Sequence, residues 1–534
     1  MMITQREGEM TRMLLKTNLK SNNVRNPLFC ATGIVLALII AFASFNFNIF
    51  RVINKDSFRL FQYDSEALVL SSLIATERGL RFPDGFHLGS FSWYYADQNA
   101  VYENINKVLP NLNIFIQDQN DSDWEHGINK ERNKILIAPQ VRDEAIKYLG
   151  RNLIIEGNAY QILRINQWGS PWLEVRGSIT IQPNQMRSVI LSGTPIENTL
   201  IQPSAYRSQV GIQGAVFSAL AKFGCSVKLM YAINSLLLSF LVVAICWNYR
   251  TLISKSFAVC LYLTMVLSPW LVPFARNLYW IPWTWFIPAL LVILIISSEN
   301  RKLKYILWCL LPISTCFKSM AGYEYLSTII LFAAAPYAIL FLSSKTHEDR
   351  LKYCLGFIYV CLLCSLGFAI AFLYHASLRA DTVLNGIKSI YYMDIKRRTY
   401  GSAENFATVP ALADSLRASI WSVVKTYIFD GQRSWLYGIK INYAIVGALL
   451  GIIFMKIHYE SVKKFIIPFF VFLITPISWY ILGKAHSYIH THINYVLWTF
   501  GFSAVCLWIC YMSIAKAVKL LKNRFSNRRS LNFN

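Results

Sequence analysis

The sequence is poor in charged residues. They make up 15% of its 534 residues, against roughly 25% in an ordinary soluble protein. Hydrophobic residues reach 55% and the mean hydropathy is +0.38. This composition excludes an ordinary soluble domain and is typical of a membrane protein. The formal net charge of +23 therefore indicates cationic loops against anionic lipid headgroups rather than nucleic acid.

Cysteine is missing where a disulfide scaffold would need it. The long segment 51–224 has none, and most of the eleven cysteines lie in apolar runs, where Cys behaves as a small hydrophobe. Cys361 and Cys364 form one isolated CxxC pair inside such a run. The pattern excludes a disulfide framework and a zinc–cysteine site. A P-loop or other Gly-rich nucleotide loop is also missing, which argues against a nucleotide-sugar enzyme.

Long apolar runs are abundant. The first, 28–50, is long enough to cross roughly 30 Å of hydrocarbon, and an uncleaved anchor fits it better than a signal peptide. Nine more are predicted at 228–247, 256–274, 283–298, 305–317, 326–344, 353–374, 441–456, 465–482 and 494–513. With ten spans, the short basic connections share one side with the N-terminus, which the positive-inside rule makes cytoplasmic.

This pattern predicts an α-helical polytopic membrane protein of about ten transmembrane helices, with an extracytoplasmic α+β or β-rich insert after the first helix. A helix-like stretch at 65–79 and strand-like runs at 112–116, 134–138 and 172–181 indicate the insert. The predicted regions are a cytoplasmic N-terminus (1–27), the first helix (28–50), the outer domain (51–226), helices two to seven (227–374), a basic outer loop (375–440), helices eight to ten (441–513) and a basic cytoplasmic tail (514–534).

The outer side carries the unusual polar residues, beginning with Tyr63-Asp64-Ser65-Glu66. A carboxylate just outside the membrane could accept a proton from a hydroxyl nucleophile, so Asp64 and Glu66 are the predicted catalytic residues. Helix capping by Asp64, with Glu66 in the first turn, is the structural alternative.

Two short outer turns add basic groups. Arg276 lies in a polar break among aromatic residues, where it could hold a phosphate or merely snorkel at the interface. The turn 318–325 holds Lys318, Tyr323 and Glu324; Lys318 could pair with Glu324 or line a polar pocket.

A histidine cluster follows in the last outer turn, with Lys484, His486, His490 and His492. Hydrogen bonding to phosphate or sugar is the favoured interpretation. A divalent metal and a wet turn without a ligand are the alternatives, and no HExxH pattern is present.

The basic outer loop 375–440, with Arg397 and Arg398, runs against the positive-inside trend. An anionic partner would explain it, and a mixed solvated surface is the alternative. The segment 206–214, with Gln209 and Gln213, resembles a re-entrant segment or an ordinary linker.

The acidic motif Tyr63-Asp64-Ser65-Glu66-Ala67, placed after the first helix and before a surface helix, resembles that of the GT-C superfamily of membrane glycosyltransferases, in particular the bacterial serotype-converting and cell-envelope branch. The resemblance implies a polyprenyl-phosphate sugar donor, an acidic base, and basic outer residues that hold the lipid phosphate: Arg276, Lys318, Lys484, His486, His490, Arg397 and Arg398. Tyr63, Gln209, Gln213, Tyr323, Glu324 and His492 are then the expected substrate contacts.

The implied partners are the lipid-linked donor, a lipid-linked or polysaccharide acceptor such as O-antigen, and membrane lipids, with the active site on the periplasmic face of the inner membrane. The rival functions are an O-antigen ligase or polymerase acting on diphosphate lipids, and a lipid or glycan transporter. A transporter would place charges at the midplane and show internal repeats, and the sequence shows neither.

Overall fold

The computed structural model describes residues 27–77, 79–95, 110–120, 123–145, 148–166, 171–180, 188–195, 199–406, 410–429, 436, 438–458 and 462–531. The predicted cytoplasmic N-terminus 1–27 lies outside these residues except for its last position, so its basic residues have no structural account here. The bundle and the insert described below belong to this part of the chain.

The chain is mostly helical, and each predicted apolar span overlaps a helix. Six helices in the described part are long and apolar enough to cross a membrane: Val227–Leu252, Leu326–Ser343, His347–Arg379, Ile441–His458, Lys463–Leu482 and Phe502–Arg524. Large apolar side chains on the helix His347–Arg379, such as Leu362 and Leu366, are exposed, as expected of a lipid-facing surface. The protein is therefore a polytopic, membrane-type helical bundle with a β-sheet insert after its first helix.

The remaining helices are shorter or less apolar. They run Pro27–Phe47, Lys55–Arg59, Tyr63–Glu77, Arg142–Ala145, Ile212–Lys222, Lys255–Val266, Leu271–Phe274, Trp283–Ser297, Arg301–Ala321, Val383–Ile390, Lys396–Arg398, Pro410–Arg417, Ile420–Phe429, Lys484–Ile489 and Thr491–Asn494, and the last helix extends over Phe502–Leu531.

Two predicted spans differ from the observed helices. The span 256–274 is broken after Val266, because Pro269 lacks an N–H and disfavours helix at the residue before it. Ser268 accepts the N–H groups of Trp270 and Leu271 across the break. The span 494–513 begins late, at Phe502, after a 3₁₀ turn over Tyr495–Thr499 and Gly501 at φ 88°.

The insert is a ten-stranded antiparallel sheet in its described part, which confirms the β-rich prediction. The strands are β1 Gly89–Tyr95, β2 Leu112–Phe115, β3 Trp124–Glu125, β4 Ile128–Asn129, β5 Lys134–Leu136, β6 Arg151–Ile155, β7 Asn158–Ile165, β8 Trp172–Val175, β9 Ser188–Pro195 and β10 Thr199–Ala205. Their order is β2-β9-β6-β7-β8-β5-β4-β3, and β1 pairs with both β10 and β7. Alternate residues of β6 are buried, so one face of the strand carries the insert's own core.

The insert is tied to the bundle beside the predicted acidic motif. The backbone of His87 accepts the Ser72 hydroxyl, and its N–H bonds the carbonyl of Val210. Gly214 packs so closely on the His87 carbonyl that a Cβ would lie 2.1 Å from the oxygen. The Gly211 N–H bonds the carbonyl of Met320. From Gln209 to Gly214 the segment is thus mostly buried between the sheet and the bundle, which is where irregular backbone is tolerated at membrane depth, whereas Arg207 is exposed.

Candidate active site at one end of the helical bundle

The acidic motif opens the helix Tyr63–Glu77, named here the motif helix. Gln62 precedes it with a left-handed φ of 51°, and its carbonyl accepts the N–H of Glu66. Asp64 is inside the first turn rather than at the cap, so the capping alternative does not account for it. Both acidic residues lie in the first turn, where a negative charge is favoured by the helix dipole.

The two carboxylates of this turn have different surroundings. Glu66 is buried, with 5% of its surface exposed. Its Oε1 accepts the backbone N–H of Leu278 at 2.8 Å, and its Oε2 accepts the Tyr231 hydroxyl at 3.2 Å. Asp64 is half-buried, lines two cavities and has no hydrogen bond or ion pair with any residue that the structure describes.

Glu66 belongs to a set of polar residues that we call the anchoring network: Glu66, Tyr231, Asn234 and Asn277. The Asn277 side chain donates to the carbonyl of Phe61 at 2.9 Å, and its oxygen accepts the N–H groups of Tyr279 and Trp280. Asn234 donates to the backbone carbonyl of Asn277 at 3.2 Å. The network fixes the motif helix against the turn 275–282, because satisfied buried polar groups resist displacement.

Asp64 instead faces a cavity of about 500 Å³, named here the outer cavity. Six chain segments that are far apart in sequence meet there. It is lined by Gln62, Asp64, Ser65, Tyr206, Tyr279, Trp280, Glu324, Arg397, Arg398, Ala411, Leu412, His486, Ile489, His490, His492 and Ile493. The segments predicted to share the outer side are therefore brought together around one volume.

A second cavity of about 420 Å³, the side cavity, lies on the other side of Asp64. Its lining contains no lysine or arginine: Ile53, Ser57, Leu60, Phe61, Gln62, Tyr63, Asp64, Pro269, Trp270 and His492. Gln62, Asp64 and His492 line both cavities, so the unpaired carboxylate lies at their shared wall.

The histidine cluster forms one wall of the outer cavity. The rings of His486 and His490 are 4.5 Å apart, and those of His490 and His492 are 5.6 Å apart. Burial, with His492 and Arg398 nearby, lowers the pKa of His490 to about 4, and burial lowers that of His486 well below 6.5. Both rings are therefore neutral at pH 7. The buried Nδ1 of His490 has no hydrogen-bond partner.

Metal-binding geometry is not found around these histidines: among the described residues, no group of three or more His, Cys, Asp or Glu side chains has it. Neutral imidazoles with a free ring nitrogen can instead donate to or accept from a sugar hydroxyl or a phosphate oxygen.

Two arginines supply the positive charge of the outer cavity. Arg398 contacts Glu324 at 3.3 Å, and Arg397 lies 3.8 Å from Asp394 with 39% of its side chain exposed. Guanidinium groups that line the same cavity as Asp64 can bind an anion bidentately. The cavity thus combines a free carboxylate, two arginines and neutral histidines.

Sequence reasoning assigned no role to Trp280, which lines the cavity, or to Tyr325, on which it stacks. The indole of Trp280 stacks on Tyr325 at 5.7 Å, and its buried Nε1 has no hydrogen-bond partner. Tyr325 takes a left-handed φ of 65° and bonds Asn494 at 2.8 Å, so it ties the turn 322–325 to the histidine turn. The sequence signal that could have indicated Trp280 is its place among aromatic residues just after the polar pair Arg276-Asn277.

The predicted site residues divide into two groups. Asp64, Tyr63, Glu324, Arg397, Arg398, His486, His490 and His492 line one or both cavities. The other group does not line either cavity and consists of Glu66, Arg276, Lys318, Lys484, Gln209, Gln213 and Tyr323.

The basic members of the second group have other contacts. The Arg276 guanidinium lies over the rings of Phe58 and Tyr231, at 5.0 and 4.5 Å from their centres. Lys318 donates to the carbonyl of Gly322 at 2.6 Å. Lys484 donates to the carbonyls of Leu416 and Ala418 at 2.6 and 2.7 Å.

The uncharged members also contact protein. Tyr323 bonds Nδ1 of His375 at 2.8 Å. Gln213 donates to the carbonyls of Tyr279 and Ala321, both at 3.1 Å. Gln209 is buried behind Gly322, and its Nε2 has no partner.

No family model, curated protein or solved structure matches the chain.

Proposed function

We propose that the chain is a membrane glycosyltransferase that moves a sugar from a polyprenyl-phosphate donor to a cell-envelope glycan or lipid. The observation that supports it most directly is Asp64, a carboxylate without a partner among the described residues, at the wall between a cavity lined by two arginines and one lined by none. Sugar transfer from a lipid phosphate needs a base beside the acceptor hydroxyl and positive charge beside the departing phosphate. Both groups are present within one set of lining residues.

In this proposal the outer cavity takes the donor phosphate and the side cavity takes the acceptor. Asp64 accepts the proton of the acceptor hydroxyl while the oxygen of that hydroxyl forms a bond to the anomeric carbon of the sugar. The bond between that carbon and the phosphate oxygen breaks, and the phosphate leaves with the electron pair. Arg397 and Arg398 stabilise its charge, and the neutral His490 bonds its oxygens or the sugar hydroxyls.

Glu66 then has a positioning role. Its two oxygens are bonded to Leu278 and Tyr231, so it holds the motif helix while Asp64 remains available. This division separates two residues that look equivalent in the sequence.

The proposal includes a topology of ten spans in a bacterial inner membrane, with cytoplasmic termini and the cavities on the periplasmic side. The meeting of six distant segments in one cavity supports this topology, because one missed span would send part of them to the opposite face. A donor with a polyprenyl tail would reach the cavity sideways from the bilayer.

The test is transfer of radiolabelled sugar from the polyprenyl-phosphate pool in membranes, with Asp64→Asn and Glu66→Gln as a matched pair. The same chemical change is made two residues apart on one helix. We expect Asp64→Asn to reduce transfer roughly 10²–10⁴-fold, the contribution typical of a general base. Glu66→Gln can still accept the Leu278 N–H, so it should remain within about tenfold of the wild type.

Equal amounts of inserted protein are the control for both variants. Undiminished transfer by Asp64→Asn would contradict the proposed base. If Arg398→Ala and His490→Ala then abolish polymer or ligation products made from diphosphate lipids, the O-antigen ligase or polymerase function replaces the one proposed.

A further inference from the structure

The outer segment 383–398 follows the membrane-type helix His347–Arg379 and folds back beside it. It consists of the helix Val383–Ile390, a π turn over Tyr391–Ile395 and the short helix Lys396–Arg398. Thr382 caps its start by accepting the N–H of Asn385 at 3.3 Å. The segment therefore has a defined beginning and a continuous helical course.

One face of the segment is fixed to the protein. Gly386, Ile390 and Asp394 are buried at intervals of four residues, which places them on one helical face. A Cβ on Gly386 would lie 1.9 Å from the carbonyl oxygen of Ala376, so the two helices are in backbone contact. Arg379 pairs with Asp394 at 3.0 Å, and both side chains are at most 10% exposed.

Elsewhere the segment exposes large apolar side chains that no described residue covers. The exposed fractions are 62% for Leu384, 55% for Tyr392 and 61% for Met393, and Val383 and Tyr391 are also exposed. The ammonium of Lys396 lies over the rings of Tyr391 and Tyr392, at 5.2 and 4.6 Å from their centres. Large exposed apolar side chains next to tyrosines and lysines are typical of a helix lying in a membrane interface.

We propose that the segment 383–398 lies in the headgroup region of the leaflet where helix His347–Arg379 ends, with Leu384, Tyr392 and Met393 in the acyl boundary. Lys388 and Lys396 complement anionic phospholipid headgroups, which explains basic residues on this side of the bundle. The attachment of the segment to the end of a membrane-type helix brings its exposed apolar side chains to the bilayer surface. A second copy of the chain is the competing occupant, but the lysines of the two copies would then face one another across a two-fold contact.

The contact has a consequence for the outer cavity. Arg397 and Arg398 line that cavity and directly follow the membrane-facing turn, while Asp394 holds the turn to Arg379. The depth of the segment in the lipid therefore sets the position of both guanidinium groups. This last step depends on the proposed function, whereas the lipid contact itself does not.

The contact can be tested by photo-crosslinking in the full-length protein. The photoreactive residue p-benzoylphenylalanine replaces Leu384, Tyr392 or Met393 one at a time, in membranes whose phospholipids carry ³²P. Glu404, an exposed residue of the same outer loop, is the matched control position. Label is measured per inserted protein, so a variant that inserts poorly still gives a ratio.

We expect several-fold more phospholipid label at the three apolar positions than at Glu404. Equal labelling at all four positions overturns the proposal, and so does an adduct of twice the protein mass, which would identify a second copy as the occupant. The readout does not use sugar transfer. Failure of the glycosyltransferase proposal would leave lipid labelling intact, and failure here would leave transfer by the wild type intact.

Discussion

The anchoring network and the outer cavity contain similar polar residues but use them in opposite ways. In the network, Glu66 has a protein donor on each of its oxygens, and Asn277 bonds three backbone groups. At the cavity, Asp64 has no partner among the described residues, and buried nitrogens of His490 and Trp280 are unpaired. The motif helix contacts both regions, with its two carboxylates two residues apart.

The difference indicates which polar groups are available to a ligand. Buried polar atoms in proteins are nearly always hydrogen-bonded, so each unpaired one needs a physical explanation. A substrate that supplies the missing partners gives that explanation for the cavity. The network needs none, because the fold already satisfies it.

Replacing each carboxylate of the motif helix with alanine should give the largest difference in stability between the network and the cavity. Glu66→Ala leaves the buried Leu278 N–H without its acceptor and removes one acceptor of the half-buried Tyr231 hydroxyl, which costs about 3 kcal/mol of folding free energy. Asp64→Ala removes a group that has no protein partner, so we expect a change below about 0.5 kcal/mol. Thermal unfolding of the detergent-solubilised protein, monitored by size-exclusion chromatography, measures the stability change of both variants.

Alanine at Ser65, between the two carboxylates, is the matched control for helix propensity. A greater loss of stability in Asp64→Ala than in Glu66→Ala would show that the two carboxylates have been assigned the wrong way round.

Much of the architecture was predictable from the sequence, because apolar runs and basic connections report on local structure. The β-rich insert and the motif helix are confirmed, and Arg398 and His490 lie in one cavity although they are 92 residues apart in number. The hydrogen-bond partners of Glu66 and Lys484, which keep both side chains out of the cavities, were not predictable. Their partners are contributed by distant backbone, in the case of Glu66 by Leu278, 212 residues away. No local pattern specifies which carbonyl or N–H the fold brings to a side chain.

The ion pair of Arg398 and Glu324 provides a second test. Both side chains line the outer cavity, yet, unlike Asp64, each has a protein partner. Arg398→Ala leaves a carboxylate whose side chain is only 9% exposed without its cation, which should cost about 2 kcal/mol. The double variant Arg398→Ala with Glu324→Gln removes that charge and should recover about half of the stability. It should not recover transfer, because the phosphate still lacks its guanidinium.

Unfolding temperature and sugar transfer, measured on the same preparations, separate these two effects. Recovery of transfer in the double variant would mean that Arg398 acts only by neutralising Glu324.

The neutral histidines give the outer cavity a pH dependence. The pKa of His490 is about 4 in the folded protein and 6.5 in an unfolded chain. As pH falls from 6.5 towards 4, the unfolded state takes up a proton that the folded state does not, so stability falls across this window. Above pH 6.5 the group contributes no pH dependence. We expect a loss of about 1.5 kcal/mol, below the full linkage value because the ring borders an open cavity.

His490→Gln is the comparison variant, since glutamine cannot take up the proton. Unfolding temperatures of the wild type and variant should run parallel above pH 7 and diverge towards pH 5, with the variant losing less. Parallel curves down to pH 5 would mean that His490 takes up its proton equally in the folded and unfolded states, which would contradict the prediction.

Within the network, the smallest expected loss of stability is at the Tyr231 hydroxyl. Tyr231→Phe removes one donor to Glu66 but leaves the Leu278 N–H in place, so the folding free energy should fall by about 1 kcal/mol. In a Glu66→Ala background the hydroxyl has already lost this acceptor, and the same substitution should then change little. The difference between the two backgrounds is the coupling energy of the pair. A coupling near zero would mean that Tyr231 stabilises the protein through its ring beneath Arg276 rather than through its hydroxyl, and that the Leu278 N–H alone fixes Glu66.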